Sequence, residues 1–337
     1  MTTLTDRTPT ATSSTTSSTT TCTLRPRYEG SNICTWIGFK HVNYLVEEAV
    51  LDSVRQRFAP PRELFETYGA GLDIVDIDTR ILHALHMDDE VTATVVPGKP
   101  VEGRLTFAVT IEVDRPAGRL KAVTSKVAAV LRLDDHHGGE PAAPLPDDLA
   151  AVAVTSLGTP ERVEVPQEQV DALLDGARIG RGTITTDVPA ALRVGDGPAV
   201  AWSWRIPYPY CHFTTRMQMS GLLRNIEEVV DLFLAERGVS IRTLLDEQGW
   251  IPVVPHSRST WLAEALMEEE LVTVFEVVDV FKDLTYTARV DSYVRRDGAF
   301  ERVATGVITH GYALIDGRVS WSLVPFDERM LAAVGAR

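Results

Sequence analysis

Apolar residues at 42, 45, 46, 49, 50 and 54 recur at helical spacing, so HVNYLVEEAVLDSVRQRF predicts one long amphipathic helix. The APP at 59–61 is expected to stop it. The period then shortens. LDIVDIDTRIL, EVTATVV, LTFAVTIEV and LKAVTSKVAAVLRL alternate or are β-branched, and PGKP and DRPAG separate some of them as turns. With TLRPRY as a short leading strand, this block reads as strand, helix, then about four strands. From about Ala199 the order recurs. AWSWRI predicts a strand and SGLLRNIEEVVDLFLAERG a helix ending in glycine. VFEVVDVF, LTYTARVDSYV and FERVATGVITHGYALI predict strands, with RRDG as a hairpin turn.

The recurrence extends to residue identities. At an offset of 180, TLRPRY falls on SWRIPY, Arg25 on Arg205, Tyr28 on Tyr208 and Thr35 on Thr215. Glu47, Glu48 and Val50 fall on Glu227, Glu228 and Val230. ALHMDDEVT matches ALMEEELVT at 181, and LTF matches LTY at 179. Around the two blocks, residues 1–22 are almost all Thr, Ser, Ala and Pro and cannot bury a core, so the ordered chain is expected to start near Thr23. The expected organisation is a tail (1–22), a first domain (23–133), a linker and elaboration (134–198), a second domain (199–325) and a C-terminal tail or short helix (326–337). The linker holds His136 and His137, which read as solvated loop residues; EQVDALLDG is a short helical pattern within the elaboration.

A strand, one long helix and an antiparallel run describe an α+β unit, a curled sheet wrapped on a helix. Each block resembles the hotdog fold of acyl-thioester enzymes. GFKHVNYL is similar to the G-H-V-N-N-x-x-Y start of that family's central helix, and ALHMDDEVTATVV echoes its L-x-x-G-D-E-V-x-V run. Two tandem copies resemble a double hotdog, in which one chain supplies what a homodimer otherwise would. The resemblance implies an apolar acyl tunnel at the helix–sheet junction. It also implies a helix N-terminus whose free N–H groups polarise a thioester carbonyl. Substrates would be acyl-CoA or acyl-carrier-protein thioesters, with no cofactor and no metal. A homodimer of double hotdogs is compatible with the pattern.

Composition narrows the alternatives. A net charge of -14 argues against a broad nucleic-acid or anionic-membrane footprint. No apolar run approaches the roughly 20 residues of a membrane helix. No cationic-then-apolar start reads as a secretory signal. Three scattered cysteines, Cys22, Cys34 and Cys211, suit a reducing cytoplasm and no structural zinc.

Helical geometry sorts the glutamates. Glu48 shares a stripe with Asp52 and Arg55, a solvated face, whereas Glu47 lies with Asn43, Val50 and Val54 at the edge of the apolar stripe. Glu227 likewise sits with Leu223, Val230 and Leu234, and Glu228 with Arg224 and Asp231. An acid among apolar neighbours has a raised pKa unless paired, which makes Glu47 and Glu227 candidate catalytic groups. The alternative for each is a carboxylate pinned to an arginine or a backbone N–H between the halves. His41 and Asn43 could bind the thioester oxygen or pantetheine amides, or cap the helix. Gly38 opens the helix. The family's usual Asp, six residues before the motif His, is Thr35 here, with Thr215 as its repeat partner; both could position water. The missing acid weakens the case for its usual base, although hotdog thioesterases that do without it exist, and the enediyne-pathway enzymes, with a similar V-N-Y-L start, are one such group. Arg216 could hold a phosphate or an enolate, and His310 could be a core or a site residue. HALH at 83–86 is a poor metal pair because its histidines point oppositely on a strand.

The leading expectation is an acyl-thioester hydrolase in secondary metabolism. The alternatives are dehydration, decarboxylation, acyl transfer or cyclisation of a carrier-bound polyketide, and a non-catalytic acyl-binding protein. The halves differ at His41 and Asn43, matched by Gly221 and Leu223, so at least one of the two pseudo-equivalent sites is expected to have lost the family chemistry.

Overall fold

The structure, a computed structural model, describes residues 18–133, 141–174, 177–179, 181–211, 214–316 and 320–336. The tail up to residue 17 and the linker histidines His136 and His137 lie outside the described residues. Strand β1 (Thr20–Leu24) starts at Thr20, three residues before the expected Thr23, because its backbone pairs with a later strand.

The first half continues with α1 (Phe39–Arg57), α2 (Pro61–Tyr68), β2 (Ala70–Ile81), β3 (Val91–Pro97), β4 (Leu105–Arg115) and β5 (Gly118–Leu133). A connecting region holds α3 (Asp147–Ala150), β6 (Ala153–Val154), β7 (Glu161–Val163), α4 (Gln167–Leu174), β8 (Ala177–Ile179) and β9 (Gly182–Thr185). The second half has β10 (Ala199–Arg205), α5 (Met219–Glu236), α6 (Ile241–Gln248), β11 (Trp250–Trp261), β12 (Glu270–Phe281), β13 (Thr285–Arg296) and β14 (Ala299–Asp316). It ends with β15 (Ser320–Val324) and α7 (Glu328–Val334).

Two pairs of elements escape the periodicity reading. Helices α2 and α6 are each eight residues long, too short to show a stripe, and are defined by their ends: a proline at the start of α2 and left-handed caps at Gly69 and Gly249. Strand β11 carries two prolines and a histidine in a run that does not alternate, and β15 is a short addition beside β14. Both are placed by their neighbours in the sheet rather than by their own pattern.

The fold is α+β. Among the described residues all the strands join one sheet, whose main path is β1-β3-β4-β5-β2-β11-β14-β13-β12-β10-β9-β8. Read outward from the β2·β11 pair, each half has the same order, so the repeat is structural as well as chemical. Asp78 pairs with Arg258, its own equivalent at an offset of 180, which places a pseudo-twofold axis between them. The match of the repeat drifts along the chain. Met87 N–H donates to Thr35 O and Met267 N–H to Thr215 O, so the offset there is 180 rather than 181. In the last two strands it is 181: Leu133 lies opposite Ala70, and Leu314 opposite Trp250. LTF and LTY therefore match as letters but not in register.

Helices α1 and α5 lie side by side, each packed on its own half and reaching the first long strand of the other. On α1 the predicted stripe is the buried one: Val42, Leu45, Val46, Ala49, Val50 and Val54 are all in the core. Each such valine or leucine contributes about 1.5–3 kcal/mol by leaving water. The predicted solvated face is a set of ion pairs, with Arg55 3.0 Å from Glu48 and 3.6 Å from Asp52. No helix of the described residues is long and apolar enough to cross a membrane.

Candidate functional site

The start of α1 is built by a loop that folds back on itself. Residues Tyr28–Gly30 form a 3-10 turn, and Gly38 N–H donates to Gly30 O at 2.9 Å. Gly38 is the N-cap in an extended conformation, with no side-chain cap on the N–H groups that follow it. The first-turn N–H groups, those of Phe39 and Lys40 among them, therefore face outward with the positive end of the helix dipole.

A cavity of about 380 Å³ opens at this point. Gly38 and Phe39 of α1, Ile81–Ala84 at the end of β2, Pro252–Pro255 of β11 and His310 of β14 contribute to its wall, with Trp321 and Leu323 of β15. Val230, Ile241 and Glu227 add the α5–α6 side. Glu227 thus crosses from one half to the helix start of the other. A β-carbon built on Gly38 would sit 3.9 Å from Glu227 Oε1. Lys40 Nζ donates to Glu227 Oε2 at 2.5 Å, and the lysine side chain is only 15% exposed. A charge-assisted bond of this kind fixes the orientation of the carboxylate. The result is an apolar cavity with a carboxylate on one side of its mouth and unspent N–H donors on the other.

The pseudo-equivalent place at the start of α5 is filled, with only about 10 Å³ left. At the offset of 180, Gly38 becomes Gln218, Trp36 becomes Arg216, Val253 becomes Asp73 and Ala84 becomes Glu264. Arg216 binds Asp73 at 3.1 Å and Arg132 binds Glu264 at 2.9 Å, the arginines and aspartate nearly buried. Leu157 of the connecting region closes over them, its N–H donating to Glu264 Oε1 at 3.0 Å. Glu47, the counterpart of Glu227, lies on this closed side with no hydrogen-bond or ion-pair partner among the described residues. Burial pushes its carboxyl up to about 7, with Glu48 and Asp73 adding repulsion.

The predicted site residues therefore separate. Gly38 and Glu227 meet at the cavity. Glu47 and Arg216 belong to the filled side. Asn43 is buried beneath the α1 start, donating to Phe39 O at 2.9 Å and accepting from Thr79 Oγ1 at 2.7 Å, so its amide is spent on the fold. His41 packs on Gly30, where a β-carbon would come within 2.8 Å of its ring, and stacks edge-on against Tyr44. Burial lowers its pKa, and it is not part of this cavity's wall. In the other half the sizes are exchanged: Tyr210 replaces Gly30 and Gly221 replaces His41, with Gly221 against the Tyr210 backbone. Thr35 is exposed, its hydroxyl 3.0 Å from His86 Nδ1, and both Thr35 and Thr215 serve the fold through their carbonyls.

Three contributors escaped the sequence reading. Lys40 stands inside GFKHVNYL, but its partner is 187 residues away and no local pattern announces it. The β11 wall was hidden by the irregular strand. Trp321 packs edge-on against Trp36 at 5.2 Å, a contact made by a strand with no counterpart in the first half among the described residues.

No family model matches the sequence, and no curated protein matches it. Solved structures do match. One is a Lactobacillus plantarum protein described as an oleoyl thioesterase, with 10% identity over 89% of this chain and 97% of that one, at a TM-score of 0.54. An acyl-ACP thioesterase from Bacteroides thetaiotaomicron matches at 12% identity, 87% and 97% coverage and a TM-score of 0.50. A 12:0-ACP thioesterase from Umbellularia californica matches at 8% identity, 91% and 98% coverage and a TM-score of 0.52. At such identities the likeness is one of fold, and it spans both halves: the resemblance to hotdog-fold thioesterases read from GFKHVNYL and the internal repeat holds at that level.

Proposed function

We propose that the chain is a double hotdog, with units over about 23–133 and 199–325, that hydrolyses acyl thioesters of coenzyme A or an acyl carrier protein at one working site. The observation that carries this reading is Glu227 of α5 meeting the Gly38 start of α1 beside an apolar cavity. The acyl chain enters the cavity and its carbonyl oxygen takes hydrogen bonds from the N–H groups of the first turn of α1, which stabilise the developing oxyanion. Glu227 accepts a proton from water as the water oxygen bonds to the carbonyl carbon. The C–S bond then breaks, and the departing sulfur takes that proton to leave as a thiol. Lys40 holds the carboxylate in place between these steps. Hydrolysis in this scheme does not need an acid at Thr35, because the base arrives from the other half. The similarity in fold to acyl-ACP thioesterases supports the substrate kind.

The test is free-thiol release from a panel of acyl-CoA and acyl-carrier-protein thioesters. Glu227→Gln should lower kcat by about 10²–10⁴, and Glu47→Gln should leave it unchanged. Equal activity of wild type and Glu227→Gln would sink the mechanism. Intact-mass analysis of the carrier-bound product separates the other readings: loss of water or carbon dioxide without thiol release favours a lyase, and retention without turnover a binding protein.

A further inference from the structure

The cavity touches both faces of the sheet. His310 of β14 and Tyr286 of β13 lie opposite each other and are buried in the core. Thr285 and Gly311, the next pair along, therefore point to the other, outer face. A β-carbon on Gly311 would meet Thr285 Cγ2 at 3.3 Å and Leu323 Cδ2 at 3.4 Å, which places Leu323 of β15 on that outer face too. The cavity wall nevertheless joins Phe39 and Val230 of the helix side to Thr285, Trp321 and Leu323. The seam between the halves explains how. The β2·β11 ladder runs only from the Asp76·Thr260 pair to the Arg80·His256 pair. Beyond it the strands part: Leu82 and His83 turn to β5 through bonds to Ala122 O, and Pro252 and Val253 pair with β14. Ile81–Ala84 and Pro252–Pro255 form the two edges of the gap.

We propose that this gap is a passage through the sheet, and that the far end of the acyl chain leaves the helix side through it and lies along the outer face against Leu82, Trp321 and Leu323. The preferred substrates are then long chains, because a passage, unlike a closed pocket, puts no floor beneath them. Leu82, Trp321 and Leu323 are 52%, 47% and 48% exposed. Single exposed apolar side chains are ordinary, but three large ones around one opening mark a surface that a ligand covers. The two ends of the passage differ in chemistry. At the Glu227 end, Lys40 binds the carboxylate, and the exposed Arg224 stands three residues before it on the same helix face. The polar pantetheine arm finds partners there. At the outer end Asn32 spends its amide on Ile33 N–H and Pro252 O, at 2.8 and 3.4 Å, which leaves His83 and Thr285 beside the three apolar side chains. A hydrocarbon chain gains most from covering that surface. At the filled site the same gap is shut: Arg216, Asp73 and Glu264 stand in it, at the positions of Trp36, Val253 and Ala84.

The inference rests on the cavity being the acyl site, with the carbonyl at the start of α1, so its test avoids turnover. Amide analogues of acyl-pantetheine, with nitrogen in place of the thioester sulfur, are titrated calorimetrically into the full-length protein. Their saturated chains are lengthened two carbons at a time, below the concentration at which the longest forms micelles. Affinity should rise about fourfold per methylene while the chain fills the cavity, the gain of full burial. It should then go on rising, about twofold per methylene, as the chain crosses the half-exposed outer face. The double variant Leu82→Ser, Leu323→Ser should flatten this second slope and keep the first. Trp321→Ser should flatten it too, and serves if the double variant fails to fold. A wild-type affinity that stops rising once the cavity is full overturns the proposal. So does a variant that loses the same factor at every length, which would put the pantetheine arm on the outer face. Absence of binding at any length would remove the cavity as the acyl site, and this inference with it. Failure of thiol release with both slopes present would instead count against the hydrolase reading and leave this one standing.

Discussion

Glu47 and Glu227 occupy the same place in the repeat, and their helical stripes are alike, yet their surroundings differ in kind. Glu227 faces Lys40 and an open cavity; Glu47 faces Asp73 and no cation of its own. That difference has a thermodynamic signature. With a folded pKa of about 7 against 4.5 for the free side chain, Glu47 is penalised whenever it must be ionised in the native state. Its folded form binds the proton more tightly, so its favourable contribution is complete below pH 4.5 and is lost as pH rises through 7. Glu47→Gln should therefore stabilise the protein at pH 8 by on the order of 2 kcal/mol, a value discounted for the carboxyl's partial contact with solvent. The gain should shrink toward zero near pH 5, as measured by denaturant unfolding at both values. The sequence did single out both acids, because helical periodicity is local. It could not rank them, because the deciding neighbours, Lys40 for one and Asp73 for the other, come from distant segments.

At the scale of elements, the two helix starts show how one loop design serves two ends. In the first half Gly30 leaves room for the His41 ring; in the second a β-carbon on Gly221 would come within 2.7 Å of the Tyr210 carbonyl. The histidine of the HVN motif is thereby explained by packing, and the glycine at 221 by the close approach of the Tyr210 carbonyl. Gly30 also accepts the bond from Gly38 N–H that sets the cap of α1. Gly30→Ala would force its β-carbon to 2.8 Å from His41 Cγ, so the ring or the loop must move. We expect a loss of about 1–3 kcal/mol, typical of overpacking, and, for the hydrolysis proposed above, a reduced kcat because the first-turn N–H groups of α1 shift with the cap. The double variant Gly30→Ala, His41→Ala should recover the stability. Thermal unfolding alongside thiol release would register both. A loss as large in the double as in the single variant would contradict the packing account. The exchange was half visible in the sequence, since His41 and Gly221 align there. The matching exchange at 30 and 210 became meaningful only once the loop was seen folded against the helix.

For the molecule as a whole, the join between halves includes one pair of strands, the α1–α5 contact and several ion pairs, two of them at the filled cavity. The β2·β11 ladder makes the sheet continuous, and Arg258 binds Asp76 across it at 2.8 Å. Arg216–Asp73 and Arg132–Glu264 link the halves at the filled cavity. Removing one partner of a buried pair leaves a charge without compensation, so Arg216→Met should cost about 3–5 kcal/mol. The double variant Asp73→Val, Arg216→Trp installs the residues found at the open site and should cost clearly less, because no charge is stranded. Chemical denaturation of the two variants checks this; a double variant no more stable than the single would refute it. Continuity of the halves was readable only as a repeat, since strand pairing across 180 residues has no local signature.

The sequence by itself determined the doubled order of strand, long helix and antiparallel strands, and the inward stripe of each helix. Those follow from periods of two and 3.6 that any short window contains. It also carried the likeness in fold, through GFKHVNYL, ALHMDDEVTATVV and the internal repeat. Only the tertiary structure decided which helix start stays open. That outcome depends on what the partner half brings to each end: Lys40 to Glu227 on one side, Asp73 to Arg216 on the other. Contacts between residues so far apart are fixed by the β2·β11 register and not by any neighbour in the chain.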